Sequence, residues 1–312
     1  MSFNSRTPTF VTAATLLWRR AFPRGCPQAA STRNMSLSYV GSSRTALTQS
    51  TGLRTFVEGK ENGPVVVFVH GWPDDHLMFS SQVDHLKDRY RCITTDLPGF
   101  HADGCDNGAE GKGFSIDEVV DRLEVTIEEA GNGSPVTVVA HDWGCMYSFI
   151  VERRRPELFK RIVALDVGGA VDPPLIGLLV ITSYHLWLIA AFLVGGPLGD
   201  AMARSFARLV GAPDAARVAT ARSCYPYYHW WKKKLDRTQE QIGPLMPKAP
   251  LLFLYGSAGY KGYLMFHADW WAKEVDQKKG SASVAMTGSK HWITADQSDD
   301  LNRRLDAFLQ QE

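Results

Sequence analysis

The strongest constraint on the fold is a regular alternation between short β-forming apolar runs and stretches with helical periodicity. Amphipathic segments at 76–87, 115–130, 146–154, 264–276 and 299–309 separate most of the runs, and Ser115 with Glu118 forms a capping-box pattern. The runs themselves lie at 53–58, 65–69, 91–95, 136–140, 162–165, 251–255 and 282–286. Parallel strands need helical crossovers that cover both sheet faces. The alternation therefore predicts an α/β domain with a mostly parallel central sheet.

The alternation breaks only between about residues 171 and 248, a stretch rich in Leu, Ala, Tyr and Trp with helical periodicity. We interpret it as a helical cap inserted into the sheet domain. The predicted organisation is an N-terminal extension at 1–50, a core at 51–170 and 249–312, and the cap at 171–248.

Segment 175–194 of the cap is almost wholly apolar and is long enough to span a bilayer. Tyr184 and His185 interrupt it, and core elements lie on both sides, so a span would split one sheet across a membrane. A buried or membrane-touching lid helix is the favoured interpretation, with peripheral membrane contact through 175–194.

The N-terminal extension differs in composition from the rest. Residues 1–57 contain no Asp or Glu, while seven arginines supply positive charge. This pattern is typical of a mitochondrial or plastid transit peptide. The alternative is a disordered tail on a cytoplasmic protein.

Composition and charge give no sign of a nucleic-acid partner, a metal or a cofactor. The 312 residues carry a net charge of +1, which gives no reason to expect a nucleic-acid partner. Five cysteines are scattered without a CxxC pair or a metal-ligand spacing, so we expect free thiols, no metal and no cofactor. The chain is expected to be a monomer or a homodimer that acts on a small hydrophobic molecule.

The main chemical motif is the strand-to-turn-to-helix segment 138–145, with Asp142 at its centre. Small residues, Ala140 and Gly144, stand two positions before and after Asp142. This is the spacing of a nucleophile elbow, in which a tight turn projects its central side chain. The competing interpretation is that Asp142 only caps the following helix.

Two further motifs stand at matching places in the strand pattern. His70-Gly71-Trp72-Pro73-Asp74 follows the second run, so the backbone N–H groups of Trp72 and Trp143 can form an oxyanion hole. His291 follows the last run and can serve as a general base near Asp142.

With these motifs the chain resembles the α/β-hydrolase superfamily, and within it the branch of epoxide hydrolases and haloalkane dehalogenases. The matching segments are His-Asp-Trp-Gly at 141–144, His-Gly-Trp-Pro-Asp at 70–74, Asp-Leu-Pro-Gly-Phe at 96–100 and His-Trp at 291–292. The likeness runs from about residue 53 to the C-terminus. It implies a catalytic triad in which Asp142 is the nucleophile.

The acid of the triad departs from one common pattern. Many relatives place it in a Tyr-Gly-x-x-Asp motif, but here Gly259 occupies that position. Some relatives place their acid after the preceding core strand, where this chain has Asp166. Asp166 is our choice and Asp269 a distant second; a turn-capping role for Asp166 is the alternative.

Attack by a carboxylate on a saturated carbon gives an alkyl-enzyme ester, which water activated by His291 would hydrolyse. Epoxide opening leaves an alkoxide, which cap tyrosines can protonate. Tyr184 resembles one of the two cap tyrosines of epoxide hydrolases, and the second would be Tyr225, Tyr227 or Tyr228. His70 and Trp187 are the other residues predicted to face the substrate or leaving group.

Two other functions stay open. In a dehalogenase, Trp143 together with Trp187 or Trp230 would hold the departing halide. A non-catalytic binding protein is the alternative of another class. Epoxide hydrolysis is the favoured prediction.

Overall fold

A computed structural model describes residues 52–100, 113–236, 242–258 and 266–311. The predicted N-terminal extension, its targeting role and Gly259 lie outside these residues. In the described chain a sheet of seven strands follows the order β1-β3-β2-β4-β5-β6-β7. The strands are β1 (Arg54–Gly59), β2 (Val65–Val69), β3 (Arg91–Asp96), β4 (Val136–His141), β5 (Phe159–Leu165), β6 (Leu251–Gly256) and β7 (Ala282–Met286).

Only the edge strand β1 is antiparallel to its neighbour, and the other pairs are parallel. Within the described residues, three short 3-10 helices accompany the α-helices. The α-helices are α1 (Ser80–Leu86), α2 (Ile116–Gly131), α3 (Trp143–Arg154), α4 (Leu175–Val194), α5 (Gly196–Leu209), α6 (Ala215–Val218), α7 (Tyr225–Leu235), α8 (Asp269–Gln277), α9 (Ile293–Asp296) and α10 (Ser298–Leu309). This is the mostly parallel α/β architecture that the sequence predicts.

Alternate residues of each central strand face opposite layers of the core, as the strand period of two requires. In β4, Val138 packs on the side of α2 and α3, while Val139 packs on the side of α1 and α10. Both side chains are fully buried. Strands covered on both faces are continuously apolar, which explains the unbroken Val and Ile runs.

Helix α2 shows how local signals set an element's start. The Ser115 hydroxyl accepts the Glu118 N–H, and the Glu118 carboxylate accepts the Ser115 N–H, which completes the predicted capping box. At the other end Asn132 adopts a left-handed conformation with φ 43°, the usual way to end a helix.

The register brings three loops to one edge of the sheet. Val69 pairs with Ala140, and His141 pairs with Leu165. The residues that follow β2, β4 and β5 therefore meet at the carboxyl edge, where ligands bind in open α/β sheets. Helices α4 to α7 all lie in the chain between β5 and β6.

Helix α4 is long and apolar enough to cross a membrane. Its inner face nevertheless packs on the protein, since Leu188 and Phe192 are buried there. The helix thus lies against the fold as a lid element.

Candidate active site

Asp142 occupies a strained turn between β4 and α3. Its backbone has φ 52° and ψ −122°, a conformation that non-glycine residues rarely adopt. A Cβ on Gly144 would collide with the carbonyl oxygens of Val69 and His70. The turn therefore requires glycine there, as a nucleophile elbow does. Backbone strain of this kind is typical of a residue at a functional site.

The Asp142 carboxylate is held by backbone donors. The Trp72 N–H donates to Oδ2 at 2.7 Å, and the Trp143 N–H also hydrogen-bonds to the carboxyl group. Burial raises the pKa of Asp142 above its usual range, against the opposing effects of His291 and these two N–H groups. The carboxylate thus combines raised basicity with a fixed orientation.

Gly71 permits this close approach. A Cβ at Gly71 would lie 2.5 Å from Asp142 Oδ2 and 2.6 Å from the Trp143 nitrogen. Any side chain would displace the carboxylate or the Trp143 N–H. The His-Gly pair of the 70–74 motif is therefore part of the site geometry.

His291 lies between Asp166 and Asp142, the two acids predicted from the sequence. Its Nδ1 donates to Asp166 Oδ2 at 2.6 Å, and its Nε2 lies 3.9 Å from Asp142 Oδ1. Burial lowers the pKa of His291, but the hydrogen bond and charge of Asp166, followed by Asp142 and Asp74, raise it overall. The Nε2 lone pair faces the nucleophile across a gap wider than a hydrogen bond.

Asp166 is itself anchored. It follows β5 with φ 67°, and its Oδ1 accepts the Gly256 N–H at 2.8 Å. Both carboxylate oxygens are thus occupied, one by the backbone and one by His291. Asp269, the second choice, begins α8 on the exposed surface.

Two buried residues beside Asp142, Asp166 and His291 were not predicted. The His141 ring lies with Nε2 3.0 Å from the His291 carbonyl oxygen, so its N–H anchors the loop that carries the base. Asp74 accepts the Trp292 indole N–H at 2.8 Å, and burial raises its pKa to about 7. Both residues belong to motifs quoted above, and their place within those motifs is the signal that could have found them.

A pocket of about 530 Å³ opens above Asp142. Its walls come from the loop after β5 and from helices α4 and α7. Mostly apolar side chains form the lining, including Phe149, Val167, Leu178, Ile181, Trp230 and Phe266. Such a cavity suits a small hydrophobic molecule.

Two of the predicted cap tyrosines reach this pocket. Tyr184 and Tyr227 both line it, and their ring centroids lie 6.1 Å apart. Burial, and after it the charge of Asp142, raises the pKa of each phenol. Both hydroxyls therefore stay protonated and able to donate.

The other two tyrosines do not line the pocket. Tyr225 is fully buried between Phe100 and Phe114, and Tyr228 packs on Phe192. On helix α7 each step of one residue turns the side chain by about 100°. Of the three tyrosines proposed for the second position, Tyr227 is thus the one that faces Asp142.

Two other predicted contact residues are not among those that line the pocket. His70 is fully buried: its Nε2 accepts the Leu97 N–H at 2.9 Å, and its Nδ1 donates to the Gly71 carbonyl at 2.9 Å. These hydrogen bonds hold the loop beneath the site. Trp187 is 45% exposed, and its indole N–H donates to the Met202 carbonyl, so it cannot hold a halide in the pocket.

His185 is a pocket residue that sequence reasoning left without a role. Its Nδ1 accepts the Trp231 indole N–H at 3.0 Å, and burial, helped by Lys234, lowers its pKa to about 3. The ring is therefore neutral and carries its proton on Nε2. It packs edge-on against Tyr184 and Tyr227, with centroids 4.6 and 4.9 Å away.

Among the described residues, no group of three or more His, Cys, Asp or Glu side chains is placed so that it could hold a metal ion. The geometry joins a buried carboxylate, a base oriented by a second carboxylate, two backbone N–H donors and two phenols around one apolar pocket. This arrangement can carry nucleophilic attack followed by hydrolysis.

Comparison with known proteins agrees with the fold. Residues 64–184 match the family model described as alpha/beta hydrolase fold. Potato (Solanum tuberosum) epoxide hydrolase I is similar in structure, with a TM-score of 0.57 and 20% identity, over 83% of this chain and 96% of that one. A haloalkane dehalogenase of Bradyrhizobium elkanii shares the same fold.

Curated relatives match this chain in sequence over different shares of its length. Epoxide hydrolase 1 of Caenorhabditis elegans is 28% identical over 35% of this chain, but the match spans only 26% of that protein. A cis-3-alkyl-4-alkyloxetan-2-one decarboxylase of Shewanella oneidensis is 25% identical over 79% of this chain and 82% of its own length.

Proposed function

Because this chain has the α/β-hydrolase fold, we propose that it is a hydrolase that opens epoxides to diols through an ester on Asp142. The observation that carries the proposal is the position of Tyr184 and Tyr227, which line the same pocket as Asp142. A nucleophile and two proton donors on opposite walls suit a strained ring held between them.

The first step forms one bond and breaks one. Asp142 Oδ1 attacks an epoxide carbon, and the ring C–O bond breaks as its electrons move to the epoxide oxygen. Tyr184 and Tyr227 hydrogen-bond to that oxygen and supply its proton. Oδ2 cannot attack as freely, because the Trp72 N–H already holds it at 2.7 Å.

The second step releases the diol. His291 takes a proton from water through Nε2, and the hydroxide attacks the carboxyl carbon of Asp142. The oxyanion develops on Oδ2, which the Trp72 N–H already holds. The Trp143 N–H, which hydrogen-bonds to the same carboxyl group, is the second donor. Asp166 stabilises the imidazolium through the 2.6 Å hydrogen bond. Collapse of the tetrahedral intermediate breaks the ester C–O bond, and the departing alkoxide takes the proton of the new carboxylic acid, which releases the diol and returns the carboxylate. The proton on His291 then restores the phenol that was deprotonated in the first step.

One observation favours dehalogenation as a second candidate. The Trp143 indole Nε1 is buried and makes no hydrogen bond of good geometry in the part of the chain that the structure describes, although the Tyr227 hydroxyl lies near it. An indole N–H beside Asp142 suits a halide. Trp187 donates to the Met202 carbonyl and is not among the pocket-lining residues, so Trp230, which does line the pocket, is the remaining predicted partner of Trp143.

A substrate panel tests the proposal. Purified protein would be incubated separately with styrene oxide, 1-bromohexane and a cis-3,4-dialkyl oxetan-2-one, the class named for the Shewanella relative. We expect the diol from styrene oxide. Bromide release with no diol would move the assignment to a dehalogenase, and alkene from the oxetanone with no diol would move it to a decarboxylase.

A further inference from the structure

The outward face of helix α4 is a continuous apolar surface. Leu175, Leu179, Leu186 and Leu193 are 73%, 59%, 58% and 54% exposed. Steps of four and seven residues return to nearly the same side of a helix, so these leucines form one line. With 20 residues the helix is about 30 Å long, and the line runs its full length.

This face lacks the charges that a water-facing helix carries. No charged residue occurs between Asp172 and Asp200, and surface helices normally place charged side chains on the solvent side. The helix is not a core helix either, since only 28% of its most apolar window is buried. An uncovered apolar patch of this length indicates a binding surface.

We propose that this face of α4 docks on a lipid bilayer, with the helix lying in the plane of the interface. The mean hydropathy of 2.0 matches a hydrocarbon environment. On the adjoining helix α5, Leu198 and Leu209 are 65% and 79% exposed and add further exposed apolar side chains. Exposed cations on the neighbouring helices of the same region, Arg208 on α5 and Lys234 on α7, suit anionic headgroups.

The docking face is continuous with the pocket. Leu178, Ile181 and Tyr184 of α4 line the cavity above Asp142, and Lys234 stands on the same wall. A lipid-soluble substrate can therefore pass from the bilayer along α4 to the nucleophile. This supply route rests on the proposed function, whereas the docking itself does not.

Vesicle flotation of the full-length protein tests the docking without any assay of catalysis. Vesicles of phosphatidylcholine alone, and of equimolar phosphatidylcholine and phosphatidylserine, separate apolar insertion from charge attraction. The test variant is Leu179→Ser with Leu186→Ser. Its matched control is Val57→Ser with Leu77→Ser, two core-domain positions that are 53% and 50% exposed.

We expect the wild type and the control to float with both vesicle types, more strongly with the anionic one. The test variant should bind about tenfold more weakly for each leucine removed, because each loses the burial of an apolar side chain. Circular dichroism should show the same fold in all three proteins. The N-terminal arginines are present in every form, so they cannot produce the difference.

Three results would overturn the docking. The wild type could stay unbound with both vesicle types. The test variant could bind as tightly as the wild type, which would assign binding to another segment. Finally, sedimentation velocity could show a dimer that Leu179→Ser with Leu186→Ser dissociates, with no flotation; the face would then be covered by a second copy of the chain.

Discussion

The His291 imidazole donates its Nδ1–H to Asp166 Oδ2 across 2.6 Å, although 125 positions separate the two residues in the chain. Asp166 follows β5 and His291 follows β7, and the sheet brings their loops to the same edge. The bond fixes the tautomer in which Nε2 can accept a proton.

Asp166→Asn should therefore lower the steady-state rate of epoxide hydrolysis about a thousandfold or more, since an amide reverses the tautomer preference. Asp269→Asn is the matched control and should keep nearly wild-type activity, because Asp269 is exposed at the start of α8. Equal activity of the two variants would assign the acid elsewhere.

The pKa of His291 should fall in Asp142→Asn. The negative charge of Asp142 contributes to the raised pKa of His291, and asparagine removes that charge. Histidine-ring NMR titration would measure the change, with His291→Gln assigning the signal and His267 as an internal reference. An unchanged or higher pKa would contradict the coupling.

The raised pKa values of Asp142 and His291 also predict the direction in which activity changes with pH. Catalysis needs ionised Asp142 and neutral His291, and the pKa of each is raised. Activity should therefore fall as the pH drops through these raised values. Ester formation removes the charge of Asp142 and lowers the pKa of His291, so ester hydrolysis under single turnover should persist to lower pH than the full cycle.

Tyr184→Phe and Tyr227→Phe should each slow epoxide opening about a hundredfold, because each removes a proton donor from the epoxide oxygen. Tyr228→Phe is the matched control, since Tyr228 packs on Phe192 away from the pocket lining. Pre-steady-state measurement of ester formation separates this effect from hydrolysis. If Tyr228→Phe alone lost activity, the proton donor would be Tyr228 and not Tyr184 or Tyr227.

Gly71→Ala should lower activity about a hundredfold while the protein stays folded, because the new methyl group would collide with the Asp142 carboxylate and the Trp143 N–H. Gly243→Ala is the control: it also lines the pocket, but a Cβ there meets nothing within 4 Å. Activity and the thermal midpoint would be measured for both. Wild-type activity in Gly71→Ala would contradict the need for the close packing of Gly71 against Asp142 and the Trp143 N–H.

The sequence predicted the strands well because parallel strands are buried on both faces and appear as unbroken apolar runs. The seven predicted runs coincide with the observed strands, and the largest displacement is at β5, which begins at Phe159 instead of 162. Lys160 is exposed and interrupts the apolar run, which explains the late predicted start.

The pocket walls were less predictable, because they depend on helix rotation. Tyr227 and Tyr228 are neighbours in the sequence, yet only the first lines the cavity. Trp187 was assigned to the pocket by its residue type, but it lies on the outer side of α4 and bonds to Met202. His70 was also assigned to the pocket, but both of its ring nitrogens hydrogen-bond to the backbone, one to Gly71 and one to Leu97.

The central claim is that catalysis passes through an ester on Asp142, and trapping that ester tests it most directly. His291→Gln would be incubated with styrene oxide, with Asp142→Asn in parallel, and both analysed by intact-protein and peptide mass spectrometry. We expect His291→Gln to gain the mass of the epoxide on the peptide that contains Asp142, and Asp142→Asn to gain nothing. Normal turnover by His291→Gln, or an adduct on another residue, would contradict the account.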